Sequence, residues 1–99
     1  MDVDKGTFNK KRLQKTDFEV RATASQAAVM SDPGANGGIS TGILSVDGIN
    51  AINKGGITQM RMYFSTATDA NGTPDSIIFQ SGEALSKAKR PTLEITYVP

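Results

Sequence analysis

Three side chains suited to carbohydrate recognition alternate along one predicted strand of this 99-residue chain. In the segment ITQMRMYFST, residues 57–66, the side chains of Gln59, Arg61 and Tyr63 fall on one face, because successive strand residues point to opposite sides. Sugar C–H faces stack on aromatic rings, and sugar hydroxyls need hydrogen-bond donors and acceptors. The spacing predicts a glycan-binding surface. The alternative is that Tyr63 is a partly buried packing residue, since there is no Trp and aromatic residues make up only 6% of the chain.

A second candidate site lies in the polar loop TDANGTPDS, where Asp69, Asn71 and Asp75 surround Gly72. Calcium takes carboxylate and amide oxygens, and a glycine permits the sharp turn that brings them together. The loop therefore predicts a possible calcium site, although it lacks the distal Glu of an EF-hand. The alternative is an ordinary hairpin loop rich in turn-forming residues.

The chain contains neither His nor Cys. This removes the usual general base, the commonest metal ligand and all thiol chemistry. A glycosidase would instead need two carboxylates about 5–9 Å apart in one cleft, and nothing in the sequence indicates that Asp75 and Glu83 converge in this way. We expect no catalytic residues and a non-enzymatic function.

The elements that must position these residues follow the pattern of an all-β protein. Short alternating runs are separated by Gly, Asn, Asp, Ser and Pro, which is typical of a sandwich or barrel. The strand at 57–66 is expected to turn Met60, Met62 and Phe64 towards the core. The turn at 31–38 contains Pro33 and three glycines. The predicted strands are 17–24, 39–46, 57–66, 76–82 and 92–98.

One short helix is expected around residues 47–54. Val46, Ile49 and Ile52 are spaced by three, Asp47 is a candidate N-cap, and Gly55 follows the last turn.

The chain closes on KRPTLEITYVP, which reads as a strand from Thr92 to Val98. Leu93, Ile95 and Tyr97 share one face and are predicted to enter the core. Terminal segments fray unless sheet pairing or docking holds them. We expect this strand to pair antiparallel with Met60–Phe64 or with Phe18–Ala22.

Length and charge restrict the organisation and the partners. The chain suits a single domain, with a polar lead-in at 1–16 and a core at 17–99. Within the lead-in, DVDKGTF is also compatible with a short strand in which Val3 faces inward. A net charge of +1 indicates no nucleic-acid partner, and the absence of a long apolar run indicates no membrane insertion. The first fifteen residues have no apolar region of the kind found in a signal peptide.

Three segments resemble the C-terminal half of DNRLRE-type domains, which are carbohydrate-binding-module-like β-sandwiches of secreted and cell-surface prokaryotic proteins. The segments are FEVRATASQAAV, GINAINKGGITQMRMYFS and SIIFQSGEALSKAKRPTLEITYVP. The most specific parts are INKGGITQMRMYF and RPTLEITY. The resemblance implies an antiparallel, jelly-roll-like β-sandwich at the cell surface or outside the cell, with a role in polysaccharide binding or adhesion. The loop TDANGTPD is less acidic than the corresponding loop of the family, which weakens the calcium assignment.

The early strands that complete both sheets in that family have no counterpart here. A sandwich that lacks them exposes sheet edges, which proteins normally cover or pair. The sequence leaves three alternatives open: a minimal domain that closes on itself, the C-terminal portion of a larger domain, and a subunit completed by another chain. The partners expected from these alternatives are a polysaccharide, other chains of the same assembly in a homo-oligomer, or a missing N-terminal half.

Overall fold

Two short antiparallel strands form the sheet of this protein in a computed structural model that describes residues 1–67, 69–74 and 76–98. Strand β1 is Asp2–Asp4 and strand β2 is Gln59–Arg61. Their register places Asp2 opposite Arg61, Val3 opposite Met60 and Asp4 opposite Gln59. Ala24 adds a single antiparallel bridge to Val3 on the other side of β1. The predicted short strand around an inward-facing Val3 is therefore confirmed.

A small core lies on the Val3 side of this sheet. Val3 is fully buried and clusters with Ala24, Ala27 and Ala51, while Leu44 and Ile52 pack against them. Alanine side chains bury little apolar area, and burial stabilises by only about 25 cal/mol per Å². The core therefore relies on close approach of backbones rather than on large side chains.

The short helix is confirmed, but a different face of it is buried. Helix α1 is Val46–Asn50, and its N-cap is Ser45, whose side chain accepts a hydrogen bond from the Gly48 N–H. Gly48 and Ala51 are buried, whereas Val46 and Ile49 of the predicted stripe are exposed. A Cβ on Gly48 would lie 2.9 Å from the Ala27 Cβ, so the missing side chain is what allows α1 to approach the core.

The predicted turn at 31–38 is confirmed. Gly34 and Gly37 have φ values of 72° and 82°, a region that glycine adopts readily. After the turn the chain returns alongside itself, because the Ser31 N–H donates to the Thr41 carbonyl at 2.7 Å. This return places Ser45, and with it α1, against Ala27, whose carbonyl accepts from the Ser45 N–H at 2.7 Å.

The predicted strand at 17–24 is wrong. A 3-10 helix occupies Lys15–Phe18 instead. The Asp17 carboxylate accepts the Gln14 N–H at 2.8 Å, which favours a turn, and the Asp17 and Val20 carbonyls bond to Arg61. These carbonyls are therefore not available to a neighbouring strand.

The predicted strands at 39–46, 76–82 and 92–98 are likewise absent from the described residues, and β2 covers only the middle of 57–66. The structure is mostly non-helical, and its one small sheet is antiparallel within the described residues. The complete sandwich stays a prediction.

Two compact units make up the chain, Met1–Ser65 and Thr66–Pro99. The sheet, the core and α1 belong to the first unit. The second unit contains a 3-10 helix at Lys87–Lys89, and the Arg90 Nε donates to the Ala84 carbonyl at 2.8 Å. None of its described residues is buried. Leu93, Ile95 and Tyr97 are each more than half exposed, so their predicted place in a core is wrong for this chain by itself.

Candidate functional site

The polar face of β2 carries the residues that the sequence singled out for glycan binding. The register places Arg61 and Gln59 on the face opposite Val3 and Met60, as the alternation predicted. That face is covered by the first twenty residues, which include the predicted polar lead-in at 1–16 and the start of the predicted strand at 17–24. The site is therefore built from β1, β2 and this covering segment.

Arg61 is held by four hydrogen bonds and one aromatic ring. Its Nε and Nη2 donate to the Asp2 Oδ2 at 2.9 and 2.7 Å, and its Nη1 donates to the carbonyls of Asp17 and Val20 at 2.7 and 2.6 Å. The guanidinium carbon lies 4.5 Å from the centre of the buried Phe8 ring. A planar guanidinium is suited to such combined ion pairing, carbonyl binding and stacking.

Asp2 is the centre of a hydrogen-bond network that connects it to Arg61, Gln26 and Tyr63. The Arg61 donors meet at its Oδ2, while its Oδ1 accepts the Gln26 N–H and the Tyr63 O–H, each at 2.8 Å. Burial by itself would raise the pKa of the Asp2 carboxyl, but the Gln26 N–H, Arg61 and Tyr63 outweigh burial and hold the pKa below its usual value. The carboxylate is therefore ionised at neutral pH, and its acceptor positions are filled. In this arrangement Asp2 has no free lone pair with which to act as a base or a metal ligand.

Tyr63 closes the network towards solvent. Donation of its hydroxyl to Asp2 raises the pKa of Tyr63, and burial raises it further. Its side chain is still 47% exposed, so part of the ring faces water. Among the three predicted glycan-binding residues, Tyr63 is the one that presents an open surface.

Gln59 is used internally on the same face. Its Oε1 accepts the Phe8 N–H at 2.9 Å, and its Nε2 points to the carbonyls of Lys10 and Lys11 at 3.5 and 3.4 Å. The structure thus brings Gln59 and Arg61 together as supports for the covering segment. The glycan-binding assignment of Gln59, Arg61 and Tyr63 stays a prediction.

The candidate calcium loop is described only in part, since Asp75 lies outside the described residues. Asp69 accepts the Asn71 N–H at 3.1 Å, and the Asn71 side-chain oxygen accepts the Thr73 N–H at 2.7 Å. These contacts are local turn hydrogen bonds of the kind that Asp and Asn commonly make. The calcium site stays a prediction.

Two carboxylates of the network, Asp2 and Asp17, were missed by sequence reasoning. Asp17 is buried, and its Oδ1 has no hydrogen-bond partner within the described part of the chain. The signals were the alternation of Asp2, Val3 and Asp4, and the spacing of Gln14 and Asp17 that begins a helical turn. Neither signal identifies Arg61 as the partner, because that pairing spans 59 residues.

A shallow depression of about 280 Å³ lies elsewhere in the first unit, between Thr23–Ser25 and α1. Asp47 and Asn50 line it, and none of the predicted site residues does. Within the described residues, no helix is long and apolar enough to cross a membrane. Comparison with protein-family models, with curated proteins and with solved structures finds no match. The resemblance to DNRLRE-type domains therefore stays a prediction.

Proposed function

We propose that this protein is a non-catalytic structural subunit of an extracellular or cell-surface assembly, in which a neighbouring chain completes an antiparallel β-sandwich. The observation that carries the proposal is the exposure of large apolar side chains in the segments 76–82 and 92–98, which the sequence predicts to be strands. Ile95 is 62% exposed and Ile78 is 93% exposed. Large apolar groups left in water are typical of surfaces that become buried on association.

Strand pairing is the form of association that this sequence favours. The segment 92–98 carries Leu93, Ile95 and Tyr97 at alternating positions, and 76–82 carries three consecutive apolar residues, Ile77 to Phe79; neither segment forms a ladder in the described structure. An extended segment that pairs with a sheet edge satisfies its backbone groups and buries every second side chain. The family resemblance supports the location outside the cell.

Sedimentation velocity over a wide concentration range, with electron microscopy of the same sample, tests this proposal. We expect oligomers or fibres that resist dilution. Ile95→Asp is expected to abolish them, while Thr96→Asp, on the opposite face of the same segment, is expected to weaken them less. A sharp monomer at every concentration would contradict the proposal.

Glycan binding is the second candidate function, and the half-exposed Tyr63 ring favours it. The Tyr63 hydroxyl binds Asp2 while the residue is 47% exposed, so a sugar face could stack on the open part of the ring without displacing the hydrogen bonds of Asp2. Titration against a polysaccharide panel tests this, with Tyr63→Phe retaining binding and Tyr63→Ala losing it. Absence of saturable binding to every polysaccharide would reject this candidate.

Calcium at Asp69, Asn71 and Asp75 is a companion proposal to either function. It rests on the oxygen-bearing side chains of one loop. Calorimetric titration with calcium chloride should show saturable heat that Asp69→Asn removes, and identical traces for the two proteins would reject it.

A further inference from the structure

Within the described residues, one edge of the sheet has no paired strand, and the hydrogen-bond pattern identifies which backbone groups line it. Val3 exchanges both of its backbone hydrogen bonds with Ala24, at 2.9 Å each. In an antiparallel ladder, bonded and non-bonded pairs alternate, so Val3 and Met60 form a non-bonded pair. The N–H and C=O groups of Met60 therefore point away from β1, and by the same alternation those of Met62 do so as well.

These outward groups have no hydrogen-bond partner among the described residues. The Tyr63 hydroxyl donates to the same Asp2 carboxylate that Arg61 binds, so Tyr63 and Arg61 lie on one face, as they would if the strand continued past the end of β2. The free edge therefore extends from Met60 towards Phe64.

The edge also lacks the usual protection against pairing. Natural edge strands carry lysines, prolines or bulges that discourage a second strand. The segment Met60–Phe64 has no Pro and no Lys, and its one charge, Arg61, is neutralised by Asp2. An approaching strand therefore meets neither a missing N–H nor an unpaired charge.

A second copy of the same edge fits this surface. With a two-fold axis at Met62, Met62 lies opposite the partner copy's own Met62, and Met60 lies opposite Phe64 of that copy. Arg61 then lies opposite Tyr63, which avoids the like-charge contact that an axis at Arg61 would create. Met60, Met62 and Phe64 are 36%, 45% and 56% exposed, so six partly exposed apolar side chains would form one continuous patch. A two-fold axis makes one surface complementary to itself.

We infer that two copies of this chain pair antiparallel through the edge Met60–Phe64, which begins in β2 and extends it, about a two-fold axis at Met62, to form a continuous four-stranded sheet. The inference rests on the proposed function, since it names one interface of the proposed assembly. It places that interface on the first unit. The segments 76–82 and 92–98 of the second unit would then form other interfaces of the assembly.

Single-cysteine crosslinking tests the register, and the chain offers a clean background because it has no cysteine. Residues opposite each other in a hydrogen-bonded antiparallel pair have Cα atoms about 5.5 Å apart, within disulfide range. Met62→Cys is therefore expected to form a covalent dimer under mild oxidation. Met60→Cys alone is the matched control and is expected to stay uncrosslinked, because the two Met60 positions lie about four residues apart along the ladder, roughly 13 Å. An equimolar mixture of Met60→Cys and Phe64→Cys is expected to form the mixed dimer.

The outcomes separate this inference from the proposed function. Crosslinking of Met60→Cys with none of Met62→Cys would overturn the register. Oligomers in sedimentation without crosslinking of any of the three variants would overturn the β2 interface and leave the proposed function standing. A monomer that does not crosslink would overturn both.

Met62→Pro provides an independent test, since proline removes the outward N–H and leaves the bonds between β1 and β2 intact. We expect its dimer dissociation constant to rise at least tenfold, with the urea midpoint of the dilute protein unchanged. Met62→Ala, which keeps the N–H, should raise the constant less. Equal dimerisation of Met62→Pro and the original chain would contradict the inference.

Discussion

The two units of this chain differ in how they use the same kinds of residues. The first unit ties β1, β2 and the covering segment together through Asp2 and Arg61, around a core in which Val3 is fully buried. The second unit has a regular alternation at Leu93, Ile95 and Tyr97, yet none of its described residues is buried, and Leu85 is fully exposed. Where the structure describes them, the hydrogen bonds of the second unit are local, as from the Arg90 Nε to the Ala84 carbonyl and from the Thr92 hydroxyl to the Arg90 carbonyl.

The comparison shows that an alternating pattern needs a partner before it becomes a strand. Short isolated strand pairs are marginal in water, because pairing must offset the entropy of ordering the backbone. In the first unit, Asp2 and Arg61 supply a long-range connection that holds β1 against β2. The second unit shows no ion pair of this kind among its described residues, and we propose that its apolar segments pair with another chain.

Arg61→Met is expected to have the largest effect on this contrast. It leaves the buried Asp2 carboxylate without its ion-pair partner, and breaking a buried pair in this way costs about 3–5 kcal/mol. Urea unfolding followed by circular dichroism measures the change. Arg21→Ala, at an exposed arginine, is the matched control and should change the free energy of unfolding by no more than about 0.5 kcal/mol. Equal effects of the two substitutions would show that the network does not stabilise the first unit.

Acidification is expected to weaken the first unit through Asp2. The folded-state pKa of Asp2 lies below its unfolded value, so its contribution is present above about pH 4 and is lost as the pH falls through the folded-state pKa. Urea midpoints between pH 2 and 7 should fall below about pH 4 in the original chain and fall less steeply in Asp2→Asn. Glu19→Gln, at an exposed carboxylate, should keep the original slope, and an unchanged slope in Asp2→Asn would contradict this assignment.

Gly48→Ala tests the close approach of α1 to the core. The added Cβ would lie 2.9 Å from the Ala27 Cβ and 3.2 Å from the Leu44 Cδ2, and overpacking of this kind costs about 1–3 kcal/mol. The better helix propensity of Ala offsets up to about 1 kcal/mol of this cost. We therefore expect the free energy of unfolding, measured in urea, to fall by about 1 kcal/mol. Gly55→Ala meets no atom within 4 Å and should be neutral or slightly stabilising. A stabilised Gly48→Ala would show that α1 is free to move away from Ala27.

The smallest effect is expected in the second unit, where Leu85→Ala and Ile78→Ala remove side chains that make little contact in the dilute chain. Each should change the unfolding free energy of the dilute protein by less than about 0.5 kcal/mol. In the assembled form at least one of them should lower the resistance to dilution. A large loss in the dilute monomer would mean that the second unit has a core of its own.

Several local features of this protein follow from the sequence alone. The turn around Gly34 and Gly37, a short helix near residues 47–54, and the alternation of faces at Met60 were all predicted, because each depends on residues close together in the chain. Val3 as an inward-facing residue of a short strand belongs to the same group. These predictions needed only turn chemistry and periodicity. The predicted N-cap Asp47 was wrong, since Ser45 caps the helix, and Met62 and Phe64, predicted to face the core, are 45% and 56% exposed.

Only the tertiary structure decided which alternating segments pair and which polar residues are buried. The pairing of Asp2 with Arg61 spans 59 residues, and the bonds from Arg61 to the Asp17 and Val20 carbonyls replaced a predicted strand with a turn. Periodicity states which side chains share a face, but not whether a partner covers that face. For Gln59 and Arg61 the cover is the first twenty residues, and for Met60 to Phe64 the described chain supplies none along the free edge. The physical reason is that pairing depends on long-range contacts whose entropy cost is offset only when both partners are in place.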